Sequence, residues 1–139
     1  LAARVSAVLE PPAFWPAVAQ GALAIEIRSD DTTTRQAVAP LDDASAHAAV
    51  RAERSCLAAL AGGCLAPIGA WAREEGGRLT LGAAVFEAHA DGVRSVTAER
   101  SHAGPGEDPR ALGKLVAAAL VDRGAADMLR RMRERPGGP

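Results

Sequence analysis

Aromatic side chains are scarce in this sequence: Phe14, Trp15, Trp71 and Phe86 are the full set, and tyrosine is absent. A core must therefore be built mainly from Ala, Val and Leu. Lysine is nearly missing too, since Lys114 is the only one among 16 basic side chains. The arginines that make up the rest suit bidentate carboxylate contacts, but they follow more simply from a GC-rich genome. With 17 acidic residues the net charge is −1, so no broad positive field is present to attract nucleic acid or an anionic membrane. No apolar run approaches the roughly 20 residues needed to span a bilayer. The opening LAARVSAVLEPP has neither the basic region nor the cleavage site of a secretion signal. It starts without methionine, as a trimmed or partial chain would. Two cysteines, Cys56 and Cys64, are too few for a disulfide scaffold, and the expectation is a cytoplasmic chain with reduced thiols.

What is present is a soluble, globular balance of 48% hydrophobic and 24% charged residues over 139 positions, enough for one domain, or for one domain and a piece of another. Residues 1–9 read as the end of a helix cut off by Pro11 and Pro12. The run ALAIEIR at 22–28 reads as a buried strand. Asp30 and Asp31 then introduce a short helix that stops before Pro40. One strand and one short helix close no core, so residues 1–41 are expected to belong to an α/β domain whose other strands lie elsewhere. From residue 42 the pattern becomes self-sufficient. Asp42, Asp43 and Ser45 offer caps for a helix that Gly62 and Gly63 stop. Its apolar stripe carries Ala46, Ala49, Val50, Cys56, Leu57 and Leu60, and Glu53 falls on the same stripe, where its carboxylate needs a donor.

Three strands are expected next, at 65–72, 78–86 and 93–100, joined by turns at Glu75-Gly76-Gly77 and Asp91-Gly92. Leu79, Leu81, Ala83 and Val85 alternate onto one face of the second. Asp108-Pro109 then starts a helix with a stripe of Leu112, Leu115, Val116 and Ala119. Gly124 interrupts it before a second helix bearing Met128, Leu129 and Met132. Residues 42–132 thus read as an α+β domain, a small three-stranded antiparallel sheet with helices on one face, and 133–139 as a disordered tail.

The residues alone offer little chemistry. His47, His89 and His102 are scattered without metal-ligand spacing, so no metal site is expected. Cys56 reads as core packing. Cys64, in GGCLAPIGA, is more singular. Gly62 and Gly63 clear side chains from its approach, and Pro67 stiffens the loop. A helix stop followed by a buried thiol accounts for the same pattern, and on physical grounds alone it is the simpler account.

Three motifs in register alter that balance. ERSCLAALAGGCLAPIGAWA, at 53–72, resembles the cofactor-attachment segment of hydroxymethylbilane synthases (porphobilinogen deaminases). PAVAQGALAIEIRSDD, at 16–31, resembles a second family segment, PAxGQGALxIExRxDD, at the family's separation. LGKLVAAALVDRGAADML, at 112–129, is similar to the family's closing helix. The resemblance implies a haem-pathway transferase that joins four porphobilinogen molecules into hydroxymethylbilane on a dipyrromethane cofactor. In that reading Cys64 carries the cofactor as a thioether. Gln20, Gly21, Gly62 and Gly63 lie beside it, and Glu53 with Arg54 braces the loop. Ala19 stands where the family has Gly, a position at which a positive φ would disfavour Ala by about 1 kcal/mol. The partners implied are porphobilinogen, the growing oligopyrrole and the family's N-terminal domains, in a monomer. The family's catalytic Asp and most of its carboxylate-gripping arginines fall outside this chain. No catalytic residue is therefore expected within it, nor any activity of the chain alone. Two other readings stand beside this one: a non-catalytic partial chain, and a redox or nucleophilic protein using the Cys64 thiol directly.

Overall fold

The computed structural model describes residues 2–61, 66–102 and 106–134. Gly62, Gly63, Cys64 and the tail from 135 lie outside the described residues. Asp43 accepts a hydrogen bond from the Ala46 N–H at 3.0 Å and opens α2 (Ala44–Ala59), which follows the short helix α1 (Thr32–Val38). Asp31 caps α1 in the same way, accepting from both the amide and the hydroxyl of Thr34. The Thr34 amide, and then its hydroxyl, hold the Asp31 carboxyl below its ordinary range. A single 3-10 turn at Ala39–Leu41 accommodates Pro40. The stop of α2 differs from expectation. Ala61, one residue before the glycine pair, takes the left-handed conformation at φ +51°, which disfavours an L-residue by about 1–2 kcal/mol.

Strands β1 (Ile68–Glu75), β2 (Arg78–His89) and β3 (Gly92–Ser101) form one antiparallel sheet in that order. Glu75 pairs with Arg78, so Gly76 and Gly77 are the whole turn, at φ +60° and +76°. Two consecutive positive φ values match the twist of the flanking strands and select glycine. The second hairpin turns through Ala90 and Asp91, one residue earlier than the sequence suggested, because His89 already pairs with Gly92. Ile68 begins β1 three residues later than expected.

Leu79, Leu81, Ala83 and Val85 face the helices as predicted, and with Ile68, Ala70, Cys56, Leu112, Val116, Leu120, Met128 and Leu129 they make the core. Helices α3 (Pro109–Asp122), capped by Asp108, and α4 (Ala125–Glu134), released by Gly124 at φ +96°, pack with α2 on that face. Each fully buried Leu or Val contributes about 1.5–3 kcal/mol. A Cβ on Gly113 of α3 would stand 2.3 Å from the Ala52 carbonyl oxygen and 2.8 Å from the Cys56 nitrogen, so this glycine sets the distance between α2 and α3. The alternation of β2 continues one step past Val85 to Glu87, only 1% exposed, which accepts bidentately from Arg131 of α4 at 3.0 and 2.7 Å. That pairing, with His89 3.3 Å away, holds the Glu87 carboxyl down at about 2.

The first forty residues depart from expectation. Among the described residues, 1–9 contain only a 3-10 turn at Ala2–Arg4, and Pro11 and Pro12 bar a helix from continuing past it. Residues 22–28 form no strand and lie open, Leu23 at 96% exposure. A strand needs a neighbouring ladder for its amides and carbonyls, and the described residues provide none to this run. Residues 15–20 instead run along the open edge of β1, with the Trp15 side chain reaching over the helix-free face. Ala17 bridges Gly69, and the Ala70 N–H donates to the Pro16 carbonyl at 3.0 Å. The Trp15 side chain lies over two glycines: a Cβ on Gly69 would stand 2.5 Å from the Trp15 Cβ, and one on Gly82 3.1 Å from its ring.

Two outcomes test this packing. Gly113→Ala should lower stability by about 1–3 kcal/mol in denaturant titration, since the extra methyl meets α2 backbone that cannot move aside. Glu87 has a folded pKa below its unfolded value, so its contribution is present above about pH 4.5 and is lost as pH falls toward 2. Glu87→Gln should flatten the stability–pH curve across that window.

Candidate functional site

Glu53 lies on the inward stripe of α2, 7% exposed, and finds the donors that its position demanded. Its Oε1 accepts from the Ala72 N–H of β1 at 2.8 Å, and its Oε2 accepts from the Ala19 N–H at 2.7 Å. One carboxylate thereby ties three segments together: the helix, the sheet and the turn at 16–21. Burial pushes the Glu53 carboxyl above its ordinary value, against the two amide bonds that pull it down. Arg54, adjacent in sequence, is exposed and makes no ion pair with Glu53 among the described contacts. The bonds of Glu53 go to β1 and to the turn at 16–21, while the loop that Glu53 and Arg54 were expected to brace, at 62–65, lies outside the described residues.

The turn that Glu53 holds is the one carrying Gln20 and Gly21. Ala19 sits at φ +62° and Gly21 at φ +88°. The condition under which Ala19 is disfavoured is therefore met, and a non-glycine residue occupies a positive φ. Gln20 curls back, its Oε1 accepting from the Ala17 N–H at 2.8 Å. Gly21 is exposed, with nothing within 4 Å of where a Cβ would stand. The bridge from Ala17 to Gly69 is antiparallel, so the turn runs toward the start of β1. Residues 62–65, which include Cys64, lead into that same strand end but lie outside the described residues. Cys56 is fully buried, and burial, reinforced by the Glu53 charge, pushes its thiol up to about 12. It is a packing residue with no thiolate to offer near neutral pH. Among the described residues no cluster of His, Cys, Asp and Glu could hold a metal ion.

The model of the porphobilinogen deaminase C-terminal domain matches residues 47–122, more than half of the 139. The chain belongs to the porphobilinogen deaminase family. A second family model, the porphobilinogen deaminase dipyromethane cofactor binding domain, matches residues 1–36. The chain is 44% identical over 126 residues to the porphobilinogen deaminase of Syntrophobacter fumaroxidans, covering 91% of this chain and 40% of that protein. It is 45% identical over 130 residues to that of Acidithiobacillus ferrooxidans, covering 94% and 40%. It is 46% identical over 118 residues to that of Desulforudis audaxviator, covering 85% and 37%. The chain therefore spans about 40% of the length of the curated relatives it matches. The segment matched by the cofactor-domain model holds Gln20 and Gly21, whereas Glu53, Arg54 and Cys64 fall in the span matched by the C-terminal model.

Sequence reasoning did not find Glu87 and Arg131, although Glu87 continues the period-two run that ends at Val85. It also did not assign Glu53 its actual partners, because backbone amides leave no residue-type signal.

Glu53→Gln should lower stability at pH 7 by about 1–3 kcal/mol, since the amide nitrogen would face one of two backbone donors. Hydrogen exchange should speed up at the amides of Ala19 and Ala72 in particular. With its folded pKa raised, Glu53 favours folding most below about pH 4.5 and less as pH rises through the folded value. The variant should lack that descent.

Proposed function

We propose that this chain is the C-terminal part of an enzyme that joins four porphobilinogen molecules into hydroxymethylbilane, with a dipyrromethane cofactor held covalently on Cys64. The observation that carries this reading is the collinear match of two porphobilinogen deaminase models, one over the Gln20-Gly21 turn and one over the GGC segment. The described residues beside that segment fit such a group. Gly21 leaves an open approach at a turn held rigidly by Glu53, and the only other thiol is sealed in the core.

When bound, the dipyrromethane supplies the free pyrrole end on which the chain of rings is extended. Cys64 would act as a permanent anchor that keeps the growing chain at the site, so that only the incoming porphobilinogen has to be captured from solution at each addition. Gly62 and Gly63 would bring no side chains of their own to the approach of the sulfur. Gln20, its carbonyl oxygen occupied by the Ala17 N–H, would have its NH2 left to donate to a ring carboxylate. Glu53 is a positioning residue that fixes Gln20 through Ala19. Arg54, exposed on the same helix, is a weaker supporting candidate.

Residues 1–41 and 42–132 are read as parts of two domains, the first completed by sheet strands from the remainder of the longer protein. The open apolar run at 22–28 supports this, as do the separate ranges of the two family models. The same run favours a subordinate reading of the 139-residue chain alone, as a folded piece that forms no product. The buried free thiol of Cys56 and the lack of a helix long and apolar enough to cross a membrane among the described residues fit a reduced cytoplasmic setting.

Intact mass of the full-length enzyme should show a two-pyrrole addition that resists thiol reductants, because a thioether is not a disulfide. Cleavage after arginine leaves both thiols in the peptide 55–73, and fragmentation of that peptide should place the addition on Cys64. Cys64→Ser should remove both the addition and the activity. Cys56→Ala should spare both and lower stability by about 1 kcal/mol. An adduct on Cys56, or an active enzyme with unmodified Cys64, would overturn the assignment, and conversion of porphobilinogen by the 139-residue chain alone would overturn its subordinate reading.

A further inference from the structure

The helix-free side of the sheet and the outer edge of β3 together line a cavity of about 450 Å³ that the reading above does not use. Its volume falls within the ordinary range for small-ligand pockets, about 300–1,000 Å³. Both tryptophans of an aromatic-poor chain line it. Trp71 stands beside Gly82 in the register, and Trp15 reaches the same place from the docked segment, its ring over the Gly82 backbone. Three arginines, Arg73, Arg100 and Arg123, line the cavity against one carboxylate, Glu99. The lining is thus positive in a chain whose net charge is −1.

The arginines are not equivalent. Arg73 stacks over the Trp71 ring at 4.7 Å and is already engaged by Glu99 at 3.1 Å and Glu75 at 3.4 Å. Arg100 and Arg123 have no acidic partner among the described ion pairs. Each instead donates one guanidinium N–H to a carbonyl on the outer edge of β3, Arg100 to Glu99 and Arg123 to Thr97. Those bonds cap an otherwise open strand edge and hold the two forks in place, with further N–H donors on each remaining. An aromatic wall beside two fixed, unneutralised guanidinium groups is the complement of a flat ring bearing a carboxylate.

We propose that this face binds a planar aromatic carboxylate, its ring against Trp15 and Trp71 and its carboxylate on Arg100 and Arg123. The site uses neither Cys64 nor the Gln20 turn, and stands or falls independently of the cofactor assignment.

The two indole N–H signals of the 139-residue chain report on the cavity directly, because the chain has no other tryptophan. Titration with 2-naphthoate should shift both signals saturably, with a Kd at or below about 1 mM. 2-Naphthylmethanol, which keeps the ring without the charge, and acetate, which keeps the charge without the ring, should each bind at least about tenfold more weakly. The double variant Arg100→Gln, Arg123→Gln should lose about tenfold in naphthoate affinity while keeping the dispersed amide signals of β2, which establish that the sheet is intact. Arg100→Lys should recover part of the loss. No saturable shift, equal binding of the alcohol, or undiminished binding by a folded double variant would each overturn the proposal.

Discussion

A single buried carboxylate holds together the parts of this chain that are distant in sequence. Glu53 projects from α2 and accepts one amide from β1 and one from the turn before Gln20. Ionised carboxylates are expensive to bury, and two backbone donors at 2.7 and 2.8 Å are what make the position tenable. Without that link the 16–21 turn would keep its contacts along β1 but lose the bond that fixes Ala19 in a left-handed conformation. The geometry of Gln20 and Gly21 therefore depends on a residue 33 and 32 positions away, on another element, chosen for its reach and charge.

Much of the C-terminal architecture was legible because its signals are local. Asp43, Asp108 and Asp31 cap the helices that follow them, Gly76-Gly77 turns the first hairpin, and the alternation from Leu79 to Val85 faces the core. Errors arose where the deciding interaction is remote. The run at 22–28 has the composition of a strand, yet a strand is a relation between segments, and the described residues contain no partner for it. Glu87 falls just past the strand expected at 78–86, and its burial depends on Arg131, 44 residues later. Gly62, Gly63 and Cys64 were singled out by motif, and they lie outside the described residues, so their case rests on resemblance and on the flanking geometry.

The two matched family models divide along the same line as the chemistry. The model named for cofactor binding covers the Gln20-Gly21 turn, and the C-terminal model covers the thiol-bearing segment. In the proposed reading one segment flanks the group and the other tethers it. Glu53, anchored in the second and bonded to the first, is what keeps the two in register.

The glycine slot under Trp15 separates covalent order from packing order. Residues 11–20 precede α1 in the chain, but Gly69 and Gly82 have no side chains, and the indole fills the space this leaves on the sheet. A truncation that began at residue 42 would strip out that indole together with the bridge to Gly69, and would lay bare a trough of main chain and small side chains along the middle strand. Such a surface is prone to self-association. Cover for that slot therefore comes from a segment that begins near Pro11, 33 residues ahead of where α2 starts.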